Sequence, residues 1–365
     1  MSSAGHDEAP WPVGMRVRPA VDPASPDVEV ADTVTGKRFR WAPESLARFI
    51  LDGGVSRRDL AGDGDSWQKV FNANTRTHLV PGWRHWQDRG WHPSDQYYAA
   101  SRRWDFVDAT DIDGAIRTDA VRRYLSTDGP PAEEAKPTGP RIPLGQPKEP
   151  GDMQVSQLLV TRRSGRAYLP KPVPLERLSG LLWYALAEVR KRREATSADE
   201  PMSYLDSYGS AWDFYLCVYN VDGLEAGVYR YEILTHELIG IRPGDHRDAM
   251  IDALQGMHSP ATAAWTLGFV ADFPRYQWRY RHEHGLRRLY LESGILAQEV
   301  IILGMSYGLS TLVTPAQKDR PYLDLHRLSE SRYSPVYTLT MGFSRGSSGV
   351  DFADESRDRT HTGLS

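Results

Sequence analysis

The chain has very little cysteine, since Cys217 is the only one among its 365 residues. A single cysteine excludes a disulfide framework and a cysteine-rich metal site. Cys217 lies in the apolar run of residues 214–218, which predicts a buried strand position rather than a reactive thiol. Excess positive charge is also missing, because the formal net charge is −4. That balance gives no basic field to attract phosphate backbones, so we expect no nucleic-acid partner.

Long hydrophobic runs and targeting segments are missing as well. No stretch reaches roughly 18 uninterrupted apolar residues, and the polar, acidic residues 1–12 contain no apolar signal core. These absences predict a cytoplasmic protein without a membrane span. No Gly-x-Gly-x-x-Gly run follows a predicted strand, so a Rossmann domain for NAD has no support.

The chain is long enough for two domains and contains 11 tryptophans. Seven prolines occur between Pro130 and Pro150 among Glu, Lys and Gly residues, a composition typical of an extended linker. The polar composition at the end of the chain predicts a disordered tail. We therefore predict four segments: an N-terminal module (13–128), a linker (129–152), a second domain (153–346) and the tail (347–365).

The N-terminal module begins with a pattern typical of a small hairpin, because residues 28–30 and 39–41 alternate apolar and polar side chains. Helices are predicted after it, the first beginning at Pro43. This order is similar to a small winged-helix module. A Trp-rich segment, residues 83–102, follows. Packing between domains is its expected role, with ligand binding as the alternative.

The second domain mixes helices and strands. A helix is predicted from Pro174, and the residues on one of its faces are Leu175, Leu178, Leu182, Leu186 and Val189. The longest helix is predicted over residues 286–307. That helix is nearly apolar in its second half, so we expect it in a core or a subunit interface. Strands are predicted over residues 214–221, 227–231, 263–271 and 336–341.

A basic pentapeptide stands before the helix predicted from Pro174. It contains Arg162, Arg163, Ser164 and Arg166 around a glycine. Guanidinium groups bind phosphate oxygens in pairs, a serine hydroxyl adds a hydrogen bond, and glycine lets the backbone approach. The pattern is therefore compatible with a phosphate site, although such basic runs are usually solvated faces.

Two further segments contain small and hydroxylated residues. Ser207, Gly209 and Ser210 form a turn before a predicted strand, where a flat ligand could lie against the backbone. Ser310 and Thr311 follow the long helix. Taken alone, an ordinary turn and a helix cap explain these two segments.

The order and spacing of the three segments closely resemble the SagB-type dehydrogenases. These are the flavin oxidases of thiazole/oxazole-modified peptide biosynthesis, a branch of the nitroreductase superfamily. The resemblance rests on Arg-Arg-Ser-x-Arg, the Pro-Val-x-Leu helix, Ser-x-Gly-Ser before a strand, and Gly-Leu-Glu-Ala-Gly-Val-Tyr-Arg-Tyr. It covers roughly residues 155–346 and extends loosely to the N-terminal module.

The resemblance implies an α+β fold with a four- or five-stranded, mostly antiparallel sheet flanked by helices. It also implies FMN held at a homodimer interface, where the long helix lies. By position, the residues that would hold the phosphate and ribityl chain are Arg162, Arg163, Ser164, Arg166 and, beyond the last strand, Arg345. The residues along the isoalloxazine would be Ser207, Gly209 and Ser210, with Ser310 and Thr311 near the phosphate end or ring edge.

For catalysis, the family places a Lys-Tyr pair just before the central helix, where this chain has Arg279 and Tyr280. Tyr280 matches. Arginine stays protonated, so Arg279 would orient substrate or stabilise charge and would not abstract a proton. His282 and His284 are alternative acids or bases, although solvent exposure is the simpler interpretation. No third ligand has convincing spacing, so we predict no metal site.

Three functions are compatible with these observations. The first is oxidation of a peptide thiazoline or oxazoline to an azole, with a leader-bearing peptide as substrate and a cyclodehydratase as partner. The second is an NAD(P)H-dependent reductase of a dehydroamino acid, nitro compound or quinone, which the absence of the lysine favours. The third is a peptide-binding scaffold without catalysis.

Overall fold

The computed structural model describes residues 15–19, 28–32, 38–44, 94, 97–98, 101, 110–129, 137–152, 154–195, 203 and 211–343. Most of the Trp-rich segment and the predicted winged-helix arrangement lie outside these residues. The chain divides into two compact units, Met1–Ala109 with His282–Leu286, and Thr110–Arg281 with Arg287–Ser365. The predicted domain boundaries remain a prediction.

The first unit contains a three-stranded antiparallel sheet. Its strands are β1 (Met15–Pro19), β2 (Val28–Asp32) and β3 (Arg38–Trp41), in that spatial order. The predicted hairpin is confirmed, because Val28 of β2 lies opposite Trp41 of β3. β1 is a strand that the sequence pattern did not predict.

A seven-stranded sheet forms the centre of the second unit, and each of its strand pairs is antiparallel. In spatial order the strands are β11 (Leu309–Thr314), β12 (Tyr333–Phe343), β10 (Trp265–Asp272), β6 (Trp212–Val218), β8 (Gly227–Glu232), β9 (Glu237–Pro243) and β4 (Arg141–Pro143). The two-residue strands β5 (Val173–Pro174) and β7 (Val221–Asp222) form a separate parallel pair.

The sheet has more strands than the four or five that the resemblance implied. All four predicted strands are confirmed as β6, β8, β10 and β12. Every residue of β6, β8 and β10 is buried, including the charged residues Asp213, Arg230 and Glu232. β9, β11 and β4 extend this predicted centre on its two sides.

Eight helices are described in the second unit or at its boundary with the first. They are α1 (Ala115–Asp128), α2 (Val155–Thr161), α3 (Leu175–Ala185), α4 (Ala187–Ala195), α5 (Arg247–Ala253), α6 (Phe273–Arg279), α7 (His284–Ser306) and α8 (Asp319–His326). The helix predicted from Pro174 is confirmed as α3, with Leu178 and Leu182 buried, but it ends before Leu186 and the chain continues as α4.

The long helix predicted over residues 286–307 is confirmed as α7. Among the described residues, α7 alone is long and apolar enough to cross a membrane, judged by length and composition. A core helix meets the same criterion, so this property assigns no membrane location.

Part of the proline-rich segment takes part in the large sheet. Ile142 of β4 lies opposite Leu238 of β9, and Leu144 donates its backbone N–H to the carbonyl of His236 at 3.2 Å. Proline is tolerated here because an edge strand leaves one row of its backbone groups without a neighbouring strand.

Cys217 is fully buried in β6, as its apolar neighbours predicted. Burial raises the pKa of the Cys217 thiol to about 12, so the thiol is neutral in the folded protein. The prediction of an unreactive core cysteine is confirmed.

Candidate functional site

The basic loop of residues 162–166 leaves α2 and lies against the start of β11. Ser164 and Thr311 form an isolated parallel bridge, and the N–H of Gly165 donates to the carbonyl of Thr311 at 3.2 Å. A Cβ at residue 165 would lie 2.8 Å from the Cβ of Ser310, closer than a side chain allows. The structure therefore brings two of the three predicted segments together.

Tyr168 fixes this loop to the sheet. Its hydroxyl lies 2.8 Å from the carbonyl oxygen of Gly165 and 2.7 Å from that of Thr340, and its backbone N–H donates to Thr262 Oγ1 at 3.0 Å. Burial raises the pKa of Tyr168 well above its usual range, so the hydroxyl keeps its proton and remains a donor. The sequence alone does not indicate this role of Tyr168, because two of its partners, Thr262 and Thr340, are distant in the chain.

The charged side chains of the loop have different local roles. Arg162 is half-buried and its Nη1 lies 3.5 Å from Ser164 Oγ, whereas Ser164 and Arg166 are exposed. Arg163 donates to the carbonyls of Val160 at 3.1 Å and Arg162 at 2.8 Å, so it caps the end of α2. A basic, backbone-fixed loop with an exposed serine hydroxyl is chemically suited to a phosphate group.

Ser310 and Thr311 point to opposite faces of β11, because side chains alternate along a strand. Ser310 is half-buried beside Gly165. Thr311 is 6% exposed, and its Oγ1 has no hydrogen-bond partner in the described part of the chain. A Cβ on Gly304 of α7 would lie 3.6 Å from this oxygen. Thr311 thus reaches the loop through its backbone carbonyl and directs its hydroxyl towards α7.

The remaining predicted cofactor residues, Ser207, Gly209, Ser210 and Arg345, lie outside the described residues, and their roles remain predictions. Phe343, the last residue of β12, pairs with Leu309 at the start of β11. The described end of β12 is therefore next to the strand that contacts the basic loop.

Arg279 and Tyr280 stand at the end of α6. Asp272 is the N-cap residue of this helix, and its side chain accepts a hydrogen bond from the N–H of Arg275 at 3.3 Å. The guanidinium carbon of Arg279 lies 5.3 Å from the ring centroid of Tyr280, and that of Arg288 lies 5.6 Å from it. Two cationic groups therefore contact the predicted catalytic tyrosine.

Arg288 also pairs with a carboxylate of α7. Its Nε lies 3.2 Å from Glu292 Oε1, one helical turn along. Burial raises the pKa of Glu292, and the nearby guanidinium of Arg288 opposes this shift only in part. The i,i+4 spacing of Arg288 and Glu292 is visible in the sequence, whereas the contact of Arg288 with Tyr280 is not.

Two buried aspartates hold α6 against the large sheet. Burial alone would raise the pKa of Asp213, but three guanidinium groups hold this pKa well below its usual range. Asp272 lies 3.1 Å from Arg275 Nη2 and 2.6 Å from Arg332 Nη2. The groups that contact Asp213 are Arg193 at 2.8 Å, Arg230 at 3.3 Å and Arg275 at 3.7 Å.

His282 and His284 belong to the first unit, with their ring centroids 6.2 Å apart. Both are half-buried, so they are less exposed than the simple interpretation of the sequence expected. Where the structure describes the chain, no group of three His, Cys, Asp or Glu residues could hold a metal ion. An acid or base role for either histidine remains a prediction.

Comparison with known proteins identifies relatives of this chain. The nitroreductase family model matches residues 159–343. The trifolitoxin operon protein TfxC of Rhizobium leguminosarum bv. trifolii is 28% identical over 268 residues, which cover 70% of this chain and 73% of TfxC. The candidate nitroreductase MJ1384 of Methanocaldococcus jannaschii is 27% identical over 180 residues, or 49% of this chain and 87% of MJ1384.

Solved structures give more distant likenesses. A chain of the E. coli microcin synthetase McbBCD complex with truncated pro-MccB17 bound is 16% identical with a TM-score of 0.39, covering 66% of this chain and 98% of that chain. A candidate nitroreductase of Anabaena variabilis is 19% identical with a TM-score of 0.48, covering 60% of this chain and 44% of its own length. At these TM-scores the likenesses carry no functional argument.

The expected α+β fold and superfamily are confirmed. Nitroreductase family members are FMN-dependent oxidoreductases, in agreement with the cofactor that the resemblance implied. The matched range covers more than half of the chain and contains the basic loop, α7 and β11. The chain therefore belongs to the nitroreductase family.

Proposed function

We propose that the chain is an FMN-dependent dehydrogenase that oxidises a thiazoline or oxazoline of a peptide to the corresponding azole. The observation that carries this proposal is the similarity to TfxC over 70% of the chain. TfxC is named for a toxin operon, which favours a biosynthetic substrate over the substrate of a general reductase. The proposed peptide would be leader-bearing, and a cyclodehydratase would supply its azoline ring.

The basic loop supports FMN as the cofactor. Arg162 and Ser164 offer a cationic group and a hydroxyl, while Thr311 and Tyr168 hold the backbone of the loop at Gly165. These groups suit a phosphate dianion. When FMN is bound, the chemistry that it supplies is acceptance of a hydride.

Azoline oxidation removes two electrons and two hydrogens from the ring, one as a proton and one as a hydride, and forms a ring double bond. Molecular oxygen is the final oxidant in the proposed cycle. Tyr280 is the residue that we propose for proton transfer, with His282 and His284 as alternatives. Arg279 stays cationic, so its proposed part is to stabilise negative charge or orient the substrate.

A homodimer is part of the proposal. On α7, Tyr290, Leu291 and Ile295 are 54%, 70% and 61% exposed. Such an apolar face is typical of an interaction surface, and a second copy of the chain would cover it. A sedimentation measurement that gives only a monomer of the full chain would contradict this part. We place the protein in the cytoplasm.

Anaerobic mixing of the FMN-loaded protein with an azoline peptide tests the proposed reaction. We expect loss of the oxidised-flavin absorbance and loss of two hydrogen atoms per peptide by mass spectrometry. Tyr280→Phe is the informative variant, because removal of an acid–base group lowers kcat by about 100-fold or more while FMN content stays unchanged. Flavin that stays oxidised and a peptide of unchanged mass would contradict the proposal.

Arg279 favours a second candidate, an NAD(P)H-dependent reductase of a dehydroamino acid, nitro compound or quinone. A permanently protonated side chain at this position cannot remove a substrate proton, but it can stabilise charge when a substrate is reduced. Rapid loss of flavin absorbance on mixing with NADPH would favour the reductase. A colourless protein that does not bind added FMN would instead favour a peptide-binding scaffold.

A further inference from the structure

Helix α1 lies before the residues that match the nitroreductase family, yet it packs on the segment that contains Arg279 and Tyr280. Trp278 of α6 and Val121 of α1 form a buried cluster, with Tyr124 and Leu125 packed against it. The rings of Tyr124 and Trp278 are 6.0 Å apart at an angle of 77°, an edge-to-face contact.

A hydrogen bond fixes the orientation of the Trp278 ring. Its indole Nε1 donates to the carbonyl of Gly129 at 2.7 Å. Gly129 ends α1 with a φ of 68°, which a residue with a side chain rarely adopts, and its N–H donates to the carbonyl of Leu125 at 3.1 Å. The end of α1 therefore presents a carbonyl in the position that Trp278 needs.

On the other side of Tyr280, Arg281 also contacts α1. Its guanidinium carbon lies 3.7 Å from the ring centroid of Tyr124, and its Nη2 lies 2.6 Å from Asp128 Oδ2. Its Nε donates to the carbonyl of Trp278 at 3.1 Å. The residues on both sides of the Arg279 and Tyr280 pair are thus held by one helix.

α6 needs such support because it has only seven residues and leaves carbonyls without helical partners at its end. Its beginning is held by Asp272 and its ion pairs. Tyr280 follows directly as the C-cap residue, with its N–H donating to the carbonyl of Tyr276 at 2.9 Å. The end of α6 is held in addition by the contacts of Trp278 with α1.

We propose that α1 is a positioning element of the active site, which fixes Arg279 and Tyr280 through Trp278 and Arg281. The catalytic consequence rests on the proposed function, whereas the positioning is a property of the chain. A displacement of about 1 Å in a catalytic group can lower a rate by up to 100-fold. Loss of the contacts with α1 therefore affects kcat more than KM or the binding of FMN.

The test uses the full-length, FMN-loaded chain with Tyr124→Leu and Asp128→Asn, singly and together. Hydrogen exchange read by mass spectrometry reports on the amides of α6 and Tyr280 without any substrate. We expect at least about 10-fold faster exchange there in the double variant, together with unchanged FMN content and a kcat lowered by about 10-fold or more.

Two controls separate positioning from general destabilisation. Tyr124→Phe keeps the ring that contacts Trp278 and Arg281, so exchange and kcat should remain those of the unaltered protein. Asp119→Asn breaks an exposed ion pair with Arg122 on the same helix, 3.1 Å long, and should also change neither quantity. If the double variant does not fold, Asp128→Asn alone decides, because it removes only a half-exposed ion pair.

Unchanged hydrogen exchange in the variants would overturn the proposal, whatever the enzymatic activity. Faster exchange with an unchanged kcat would also overturn it, because α1 would then be a structural element only. Faster exchange in a protein whose unaltered form does not oxidise azolines would contradict the proposed function and leave the positioning role supported.

Discussion

Gly165 and Ser310 are so close that a Cβ at residue 165 would lie 2.8 Å from the Cβ of Ser310. Gly165 does not have a positive φ, so the position requires the absence of a side chain and not the backbone freedom of glycine. This contact, with the hydrogen bond from Gly165 to Thr311, sets the distance between the basic loop and β11.

We predict that Gly165→Ala weakens FMN binding by about 10-fold or more, because the loop must move away from β11 to admit the methyl group. Fluorescence titration of the apoprotein with FMN measures the affinity. Gly240→Ala is the matched control, since its Cβ would lie 3.1 Å from Pro140 Cγ, in a crowded strand far along the sheet. It should lower Tm and leave the FMN affinity unchanged. Equal losses of affinity in both variants would contradict the prediction.

Arg162 and Arg163 are adjacent, but their contacts predict different effects. The Arg163 side chain donates hydrogen bonds to backbone carbonyls at the end of α2. The guanidinium group of Arg162 instead lies beside the Ser164 hydroxyl. Arg162→Gln should weaken FMN binding by about 10-fold to 100-fold, the range of one charge-assisted hydrogen bond, and leave riboflavin binding unchanged. Arg163→Gln should lower Tm with a smaller effect on FMN. Equal weakening of FMN and riboflavin by Arg162→Gln would exclude a phosphate contact.

Much of the fold was predictable because its centre is buried on both faces. β6, β10 and α7 are long apolar segments, and such segments have few alternative structures. β11 was not predicted, because the residues after the long helix were interpreted only as a helix cap. Gly308 follows Ser306, the last residue of α7, by two positions and has a φ of 71°, and the strand begins at the next residue. A local sequence pattern does not show that a glycine after a helix can also stand directly before a strand.

The site was predictable only where its residues form local motifs. Ser164 and Thr311 were assigned to one site by resemblance, and the structure joins them. Tyr168 hydrogen-bonds a carbonyl 172 positions away, and Trp278 bonds Gly129 across 149 positions. Contacts over such separations depend on the order of the strands in the sheet. A short stretch of sequence does not determine that order.

Glu292 is expected to influence activity through Arg288, which contacts Tyr280. Glu292→Gln keeps the size of the side chain but removes the charge that holds Arg288. We predict a kcat lowered by about 10-fold, with the same FMN content and KM. Glu299→Gln is the control, because Glu299 is also on α7 and burial also raises its pKa, but within the described part of the chain Glu299 forms no ion pair with an arginine that contacts Tyr280. A normal kcat in Glu292→Gln would argue against any role of this pair.

Two buried histidines should make the fold sensitive to acid. Burial lowers the pKa of both His236 and His326 to about 4. In the unfolded chain the pKa of histidine is about 6.5, so the unfolded state binds more protons between these values. The free energy of unfolding should therefore be constant above about pH 6.5 and fall as the pH decreases towards 4. The loss is on the order of 3 kcal/mol for each histidine.

His326→Phe tests this linkage with little disturbance of packing. The His326 ring stacks on Tyr322 at 4.1 Å, its Nδ1 donates to the Tyr322 carbonyl at 2.8 Å, and its Nε2 has no hydrogen-bond partner among the described residues. Phenylalanine keeps the stacking and loses one hydrogen bond, worth about 1 kcal/mol at every pH. Urea unfolding from pH 7 to pH 4.5 should then show about half of the acid-induced loss of stability that the two buried histidines cause, because His236 is the one of the two that remains. His258→Gln, at an exposed position, should keep the full loss. A profile of His326→Phe parallel to that of the unaltered protein would mean that His326 does not carry this pH dependence.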